Sequence, residues 1–236
     1  MRDLAELRQW AAERSAELES TWKAIQCTRC GHRETVALES TATMCERCRE
    51  QWRLFRENTP ARYRTAALAD LPAALVERFR SLRTGTGIFL WGTPGAGKTH
   101  ALFAFRRDLW ERCQQSRRAI WDDLLLEIRD SFRPRSHESE SAILRRMVDA
   151  PVLMLDDVGV LTSIGATESD FSTKVFLHIL DRRLEACRPT FITSNKSVEN
   201  LGASFDQRIY SRLLQACQVI RLAGRDRRQD QIGGDA

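Results

Sequence analysis

Ile88-Phe89-Leu90-Trp91-Gly92-Thr93-Pro94-Gly95-Ala96-Gly97-Lys98-Thr99 is the stretch that decides the fold. A four-residue apolar run leads into a glycine-rich loop, and Lys98–Cys113 behind it has the pattern of a helix. Gly92–Thr99 satisfies G-x-x-x-x-G-K-[ST] at every position. The glycines let the backbone curl until successive N–H groups point at phosphate oxygens, and the helix that opens at the loop's end faces them with its positive pole. All eight residues (Gly92, Thr93, Pro94, Gly95, Ala96, Gly97, Lys98 and Thr99) are therefore nucleotide-binding candidates. Lys98 is placed to reach the β- and γ-phosphates of ATP, and the Thr99 hydroxyl to ligate Mg²⁺. A chance match somewhere in a chain of this length has odds on the order of 1%, and the strand-before, helix-after context lowers them further.

Further along the chain, short apolar runs alternate with helical patterns. Ala119–Trp121, Val152–Leu155, Thr190–Thr193 and Val219–Leu222 read as strands. Between them Leu124–Phe132, Ala142–Val148, Phe171–Ala186 and Asp206–Leu214 read as helices. Apolar strands separated by helices predict an α/β fold with a five-stranded parallel sheet covered on both faces. The third strand ends in two carboxylates, Asp156 and Asp157. Beside a phosphate loop, Asp156 is the candidate for the Mg²⁺ shell and Asp157 for orienting or deprotonating the attacking water. The plainer reading is a strand followed by an Asx-type turn at Asp157-Val158-Gly159. Asn195 closes the fourth strand, where a polar side chain can sit between the acidic pair and the γ-phosphate. Arg208 and Arg212 stand four apart on one helix face, and Arg212 is the candidate for an arginine presented to a neighbouring subunit's phosphate. A solvated basic face is the alternative.

The N-terminal part has a different character. Leu4, Leu7, Ala11, Leu18, Trp22 and Ile25 recur at three- and four-residue steps and predict an amphipathic helix over 2–25. Cys27, Cys30, Cys45 and Cys48 follow as C-x₂-C-x₁₄-C-x₂-C. Two such pairs form knuckles that offer four thiolates to one metal, and the fourteen residues between them suit a β-hairpin. With no open position, the expected metal is a structural Zn²⁺. Disulfides are the alternative, disfavoured because MRDLAELRQW is no export signal. Cys113, Cys187 and Cys217 fall in helix or strand patterns and read as packing residues.

Composition agrees with a globular chain: 42% hydrophobic, 29% charged, with no apolar run long enough for a membrane span, so a cytoplasmic location without membrane partners is expected. The net charge of +5 is concentrated. Residues 61–118 hold eleven basic and four acidic side chains, and Arg106, Arg107, Arg112, Arg117 and Arg118 lie too far along to serve one nucleotide. These arginines, Arg106 and Arg107 foremost, are candidates for DNA phosphate contacts.

From Thr59 to Arg228 the chain resembles the DnaC/DnaI-type replicative helicase loaders and the IstB-type transposition helper ATPases, AAA+ proteins of the initiator clade. FLWGTPGAGKTHAL, VLMLDDVGV, DRRLEACRPTFITSN and RIYSRLLQACQVIRL carry the resemblance. It implies three parts: an N-terminal helix and zinc-ribbon module for docking a hexameric DNA helicase (1–56), an adenine-proximal linker (57–83), and an AAA+ ATPase core (84–236). Arg62 and Tyr63 become adenine-site candidates, Ser211-Arg212-Leu213 matches the family's arginine-finger motif, and Ser169 and Phe171 belong to a segment that meets single-stranded DNA in loaders. Two departures matter. Asp157 stands where most AAA+ ATPases have Glu, so hydrolysis is expected to be slow or partner-dependent. Only 24 residues follow Arg212, too few for a C-terminal lid, so self-association or docking would have to complete the site. The implied activity is ATP-dependent loading of a replicative helicase onto single-stranded DNA. The alternatives are a transposition helper on duplex DNA and a zinc-ribbon nucleic-acid adaptor with a passive nucleotide switch. A small-molecule P-loop kinase is disfavoured by the Asn195 and Arg212 pattern.

Overall fold

The computed structural model describes residues 22–83, 85–134, 136–159 and 169–223. The chain divides into two compact units, residues 1–64 and 65–236.

In the first unit, β1 (Trp22–Gln26) and β2 (Arg33–Ala37) form an antiparallel hairpin in register Trp22↔Ala37 to Gln26↔Arg33. The helix expected over 2–25 is thereby corrected at its end: Trp22–Gln26 is extended, and the rest of that stretch lies outside the described residues. The hairpin also differs from the one expected between the two cysteine pairs, since it straddles the first pair. Its turn holds Cys27 and Cys30, with Gly31 N–H bonded to the Cys27 carbonyl (2.9 Å) and Cys27 N–H to that of His32 (2.8 Å). Helix α1 (Glu46–Glu57) carries Cys48 in its first turn and follows Cys45 directly. A 3₁₀ turn at Ala61–Tyr63 closes the unit.

The second unit opens on a 3₁₀ turn (Leu68–Asp70) and α2 (Ala73–Arg80), a helix inside the stretch expected to be a linker. Then follow β3 (Gly87–Trp91), α3 (Lys98–Glu111), β4 (Ser116–Ile120), α4 (Trp121–Asp130), α5 (Glu140–Asp149), β5 (Val152–Asp156), α6 (Asp170–Glu185), β6 (Thr190–Ser194), α7 (Val198–Ser204), α8 (Gln207–Ala216) and β7 (Cys217–Arg221). The five strands are all parallel, in the order β4-β5-β6-β3-β7. The expected five-stranded parallel sheet is thus present. Trp121, expected to end a strand, instead begins α4, and β4 starts earlier with Ser116-Arg117-Arg118.

Alternation along the strands sorts the core. Phe89, Leu153, Leu155 and Ile192 face α4, α5, α6, α7 and α8. Ile88, Leu90, Val152, Met154 and Phe191 face α2 and α3, where Phe79 stacks on Phe105 at 4.4 Å and both meet the Phe191 ring edge-on. By the same parity Asp156 and Thr193 belong to the α3 side, and so does Arg118, which pairs with Met154. No helix among the described residues is long and apolar enough to cross a membrane.

One buried cation fastens the far face. Arg183 of α6 is 0% exposed and donates to the carbonyls of Met147, Val148 and Ala150 at the end of α5, to the Pro189 carbonyl and to Thr190 Oγ1. Burial, with Arg188 adding to it, lowers its pKa to about 10, so it is still charged at neutral pH. It stands where the negative pole of α5 and its unpaired carbonyls need a donor. Arg183→Met is expected to cost roughly 3 kcal/mol or more, because those carbonyls lose their partner in a site closed to water. Urea denaturation of the full chain measures this; a midpoint shift worth under about 1 kcal/mol would show that the carbonyls find other donors.

Candidate nucleotide site and cysteine cluster

The site forms where β3, β5 and β6 end, at the carboxyl edge of the sheet, which is where open parallel sheets place their ligands. Trp91 is opposite Ser194, and Leu155 opposite Ile192, so Gly92 and Asn195 leave their strands side by side while Asp156 lies level with Thr193, two residues earlier. Gly92 is required by a close approach: a Cβ there would lie 2.2 Å from the Leu222 carbonyl oxygen. Gly97 has φ 95°, a left-handed conformation, and nothing lies within 4 Å of where its Cβ would be. The loop leads through Gly97 into the N-terminus of α3, which no side chain caps, the end of a helix that a phosphate chain needs.

Lys98 is buried, and its Nζ donates to the Gly92 and Thr93 carbonyls (2.9 Å each) and to Asn195 Oδ1 (2.6 Å). Thr99 Oγ1 lies 3.3 Å from Asp156 Oδ1. Asp156 is fully buried. Its Oδ1 also accepts from Thr193 Oγ1 (2.5 Å), and its Oδ2 accepts from Arg118 Nε (3.1 Å) and Nη2 (2.5 Å). Thr193 Oγ1 in turn accepts the Asp157 N–H at 2.9 Å, which holds Asp157 in a left-handed turn at φ 60°. A hydroxyl and a carboxylate facing each other beside an ammonium suit a Mg²⁺–triphosphate: oxygen ligands for the cation, N–H donors for the phosphates.

Lys98, Thr99, Asp156, Asp157 and Asn195, named from sequence alone, thus meet in one place. Two members were missed. Thr193 gave no signal beyond ending a strand. Arg118, by sequence a candidate for DNA phosphate contact, is mostly buried on the Phe103 ring (4.8 Å) and paired to Asp156. Its place on the strand next to Asp156 was the available clue.

The other candidates stand elsewhere. Arg212 is half-exposed on α8, paired with Asp181 of α6 (2.5 Å) and bonded to Gln215 (3.3 Å), while Arg208 pairs with Asp206. Ser169 caps α6, accepting from Ser172 N–H, and Phe171 packs partly into the core beside Arg129 and Phe132. Arg107 is bonded to Glu111 (3.0 Å). Arg106 is partly buried, and burial, with the Arg118 charge adding to it, lowers its pKa to about 10. Arg62 and Tyr63 lie in the first unit, the guanidinium over the ring at 4.9 Å.

With this geometry in place, comparison with known proteins settles the family. The profile of the family described as "IstB-like ATP binding protein" matches residues 45–232. The chain belongs to that family. It is 29% identical over 156 residues to the replicative helicase loader DnaI of Bacillus subtilis (strain 168), covering 61% of this chain and 48% of the relative. It is 29% identical over 122 residues to the replicative helicase loader DnaC of Escherichia coli (strain K12), covering 52% and 47%. The chain spans about half the length of the curated relatives it matches. Among solved structures, a crystal structure of DnaI superposes with a TM-score of 0.58 at 26% identity, over 72% of this chain and 94% of that one. The expected AAA+ core and the loader resemblance are both supported by these matches.

In the first unit the sulfurs of Cys27, Cys30, Cys45 and Cys48 all lie within 4.8 Å of one another; three are buried and Cys30 is exposed. Cys30 and Cys45 sulfurs are 3.8 Å apart. That is the edge of a tetrahedron with metal–sulfur bonds of about 2.3 Å, the length found for zinc thiolates. Arg29 Nη1 donates to Cys48 Sγ (3.4 Å) and to Gln51 Oε1 (2.6 Å), an outer contact suited to a negative tetrathiolate. Burial pushes the Cys48 thiol up to about 12 despite that Arg29 contact. Zinc binds thiolate and not thiol, so binding in this cluster has to displace protons as the pH falls. Apparent Zn²⁺ affinity is therefore expected to fall by tenfold or more for each pH unit below 8, read by competition with a chromophoric chelator. An affinity flat between pH 8 and 6 would exclude thiolate ligation.

Proposed function

We propose that this protein is an ATP-dependent helicase loader of DNA replication, which binds a hexameric replicative helicase and delivers it to single-stranded DNA. The observation that carries the nucleotide half is the convergence of Lys98, Thr99, Asp156 and Asn195 around the open loop at the sheet's edge. The helicase half is supported by similarity to two relatives named replicative helicase loaders.

In this reading the loop N–H groups and Lys98 hold the triphosphate, and Lys98 is already aimed along the loop by three acceptors. Thr99 and Asp156 would hold Mg²⁺, which supplies neutralisation of the phosphate charge when bound. Asp157 would take the proton of the attacking water, and Asn195 would position that water. Because Asp157 reaches one methylene less far than Glu, hydrolysis is proposed to be slow unless a partner adjusts the site. Arg212, half-exposed on α8, would leave Asp181 to serve a neighbouring copy or docked partner, with Arg62 and Tyr63 contributing near the adenine. Phe171 and Ser169, with Arg106 and Arg107, are proposed DNA contacts. The cysteine cluster would hold a structural Zn²⁺ in a docking module over residues 1–56, followed by a linker to residue 83 and the ATPase core. A cytoplasmic site of action follows from a role in replication. The family's IstB description favours one other reading, a transposition helper on duplex DNA.

Three measurements test the reading. Lys98→Ala is expected to weaken ATP binding at least a hundredfold, and Asp157→Asn to retain ATP while losing turnover, both read by fluorescent-nucleotide titration and phosphate release. Turnover stimulated by single-stranded DNA supports loading, and a duplex preference supports the transposition helper. Co-elution with a hexameric replicative helicase in ATP should be lost on deleting residues 1–56 while ATP binding persists; capture by the truncated chain would refute the docking assignment.

A further inference from the structure

The Arg118 contact has a chemical consequence beyond compensation of a buried charge. Asp156 Oδ2 receives two N–H groups from Arg118, and Oδ1 receives the Thr193 hydroxyl and lies beside that of Thr99. A carboxylate offers about four lone-pair sites, so protein donors account for all of them. Any cation held by Thr99 and Asp156, directly or through water, has to take over one of those sites. Two of these four contacts, those of the hydroxyls, can give way. The hydroxyls can rotate to another acceptor. The guanidinium cannot: it is planar, always charged, wedged on the Phe103 ring at 4.8 Å, and only 17% exposed.

We infer that Arg118 is a positioning residue that competes with Mg²⁺ for Asp156 and so raises the Mg²⁺ concentration this protein needs to hold ATP. The inference rests on the nucleotide reading of the site. Arg118 holds Asp156 in the orientation that Thr99 requires, and its positive charge beside the same carboxylate disfavours a second cation there. Nucleotide binding then becomes a readout of Mg²⁺ supply, with the two cations coupled negatively through one shared carboxylate.

The test is a titration of the full chain with a fluorescent ATP analogue, in EDTA and across a Mg²⁺ series. Arg118→Gln keeps donors without charge, Arg118→Met keeps the volume over Phe103, and Arg118→Lys keeps the charge. Circular dichroism selects the variants that fold. The Gln and Met variants are expected to reach half-maximal Mg²⁺ stimulation at roughly tenfold lower Mg²⁺. The Lys variant is expected to keep the parent's requirement. A merely structural role would weaken binding equally with and without Mg²⁺. If the parent binds ATP and every folded variant shares its Mg²⁺ midpoint, or the Lys variant shifts as far as the Gln variant, the competition is overturned and the nucleotide reading stands. A parent that binds no ATP analogue under either condition overturns both.

Discussion

An ionised carboxylate withdrawn wholly from water is destabilising by several kcal/mol unless its oxygens are matched by donors. Asp156 is such a group, with no exposed surface, and the second unit is arranged around satisfying it. The donors come from three separate elements: Arg118 from β4, Thr99 from the start of α3, and Thr193 from β6. They can converge only because the strands are parallel and in the observed register, which puts Arg118, Asp156 and Thr193 on one side of the sheet. A one-residue slip of β4 or β6 would turn Arg118 or Thr193 to the opposite face and leave the carboxylate short of partners. The same register brings Asn195 to Lys98. The acidic group thus acts as a check on strand pairing as well as a member of the site.

Both faces of the sheet carry aromatic packing, and the face opposite α3, where Trp121, Phe176 and Phe205 cluster, adds a buried cation. On the α3 side the packing is aromatic, with Phe79, Phe105 and Phe191 in mutual contact under the loop helix. On the other side, Arg183 replaces apolar filling at the junction of α5, α6 and β6 with a single five-donor group. Among the described residues of the first unit, Trp52 stacks on Phe55, and the buried apolar side chains are Val36, Phe55 and three cysteines. The four converging thiols would cross-link this unit when they hold the proposed Zn²⁺.

How much was legible beforehand follows from which signals are local. The loop, Asp156, Asp157 and Asn195 sit at strand ends with fixed spacing, so a reading of periodicity finds them. Arg118 was hidden because β4 is an edge strand and admits charged residues that break the apolar pattern. The helix α2 escaped because only Leu75 and Phe79 mark its buried side, and α7 because seven residues hold too few turns to show a period. The helix expected over 2–25 failed at Trp22–Gln26 for a different reason. The hairpin carrying the first cysteine pair needs both arms extended, and that pairing overrides a helical spacing of apolar residues.

The position of β3 in the sheet also bears on how the molecule comes to exist. Both of its neighbours arrive late: Ile88 pairs with Phe191, and Gly87 with Cys217. During synthesis the phosphate loop, ending at Thr99, leaves the ribosome 91 residues before Thr190 opens β6 and 118 before Cys217 opens β7. Contacts of such long range are entropically expensive to close and make folding slow. For that interval the apolar run Ile88-Phe89-Leu90-Trp91 has no partner on either edge, the kind of segment that chaperones bind and that aggregation recruits. An incomplete chain cannot shape the loop, and nucleotide bound to the finished fold would favour the one arrangement in which the last strand is in place.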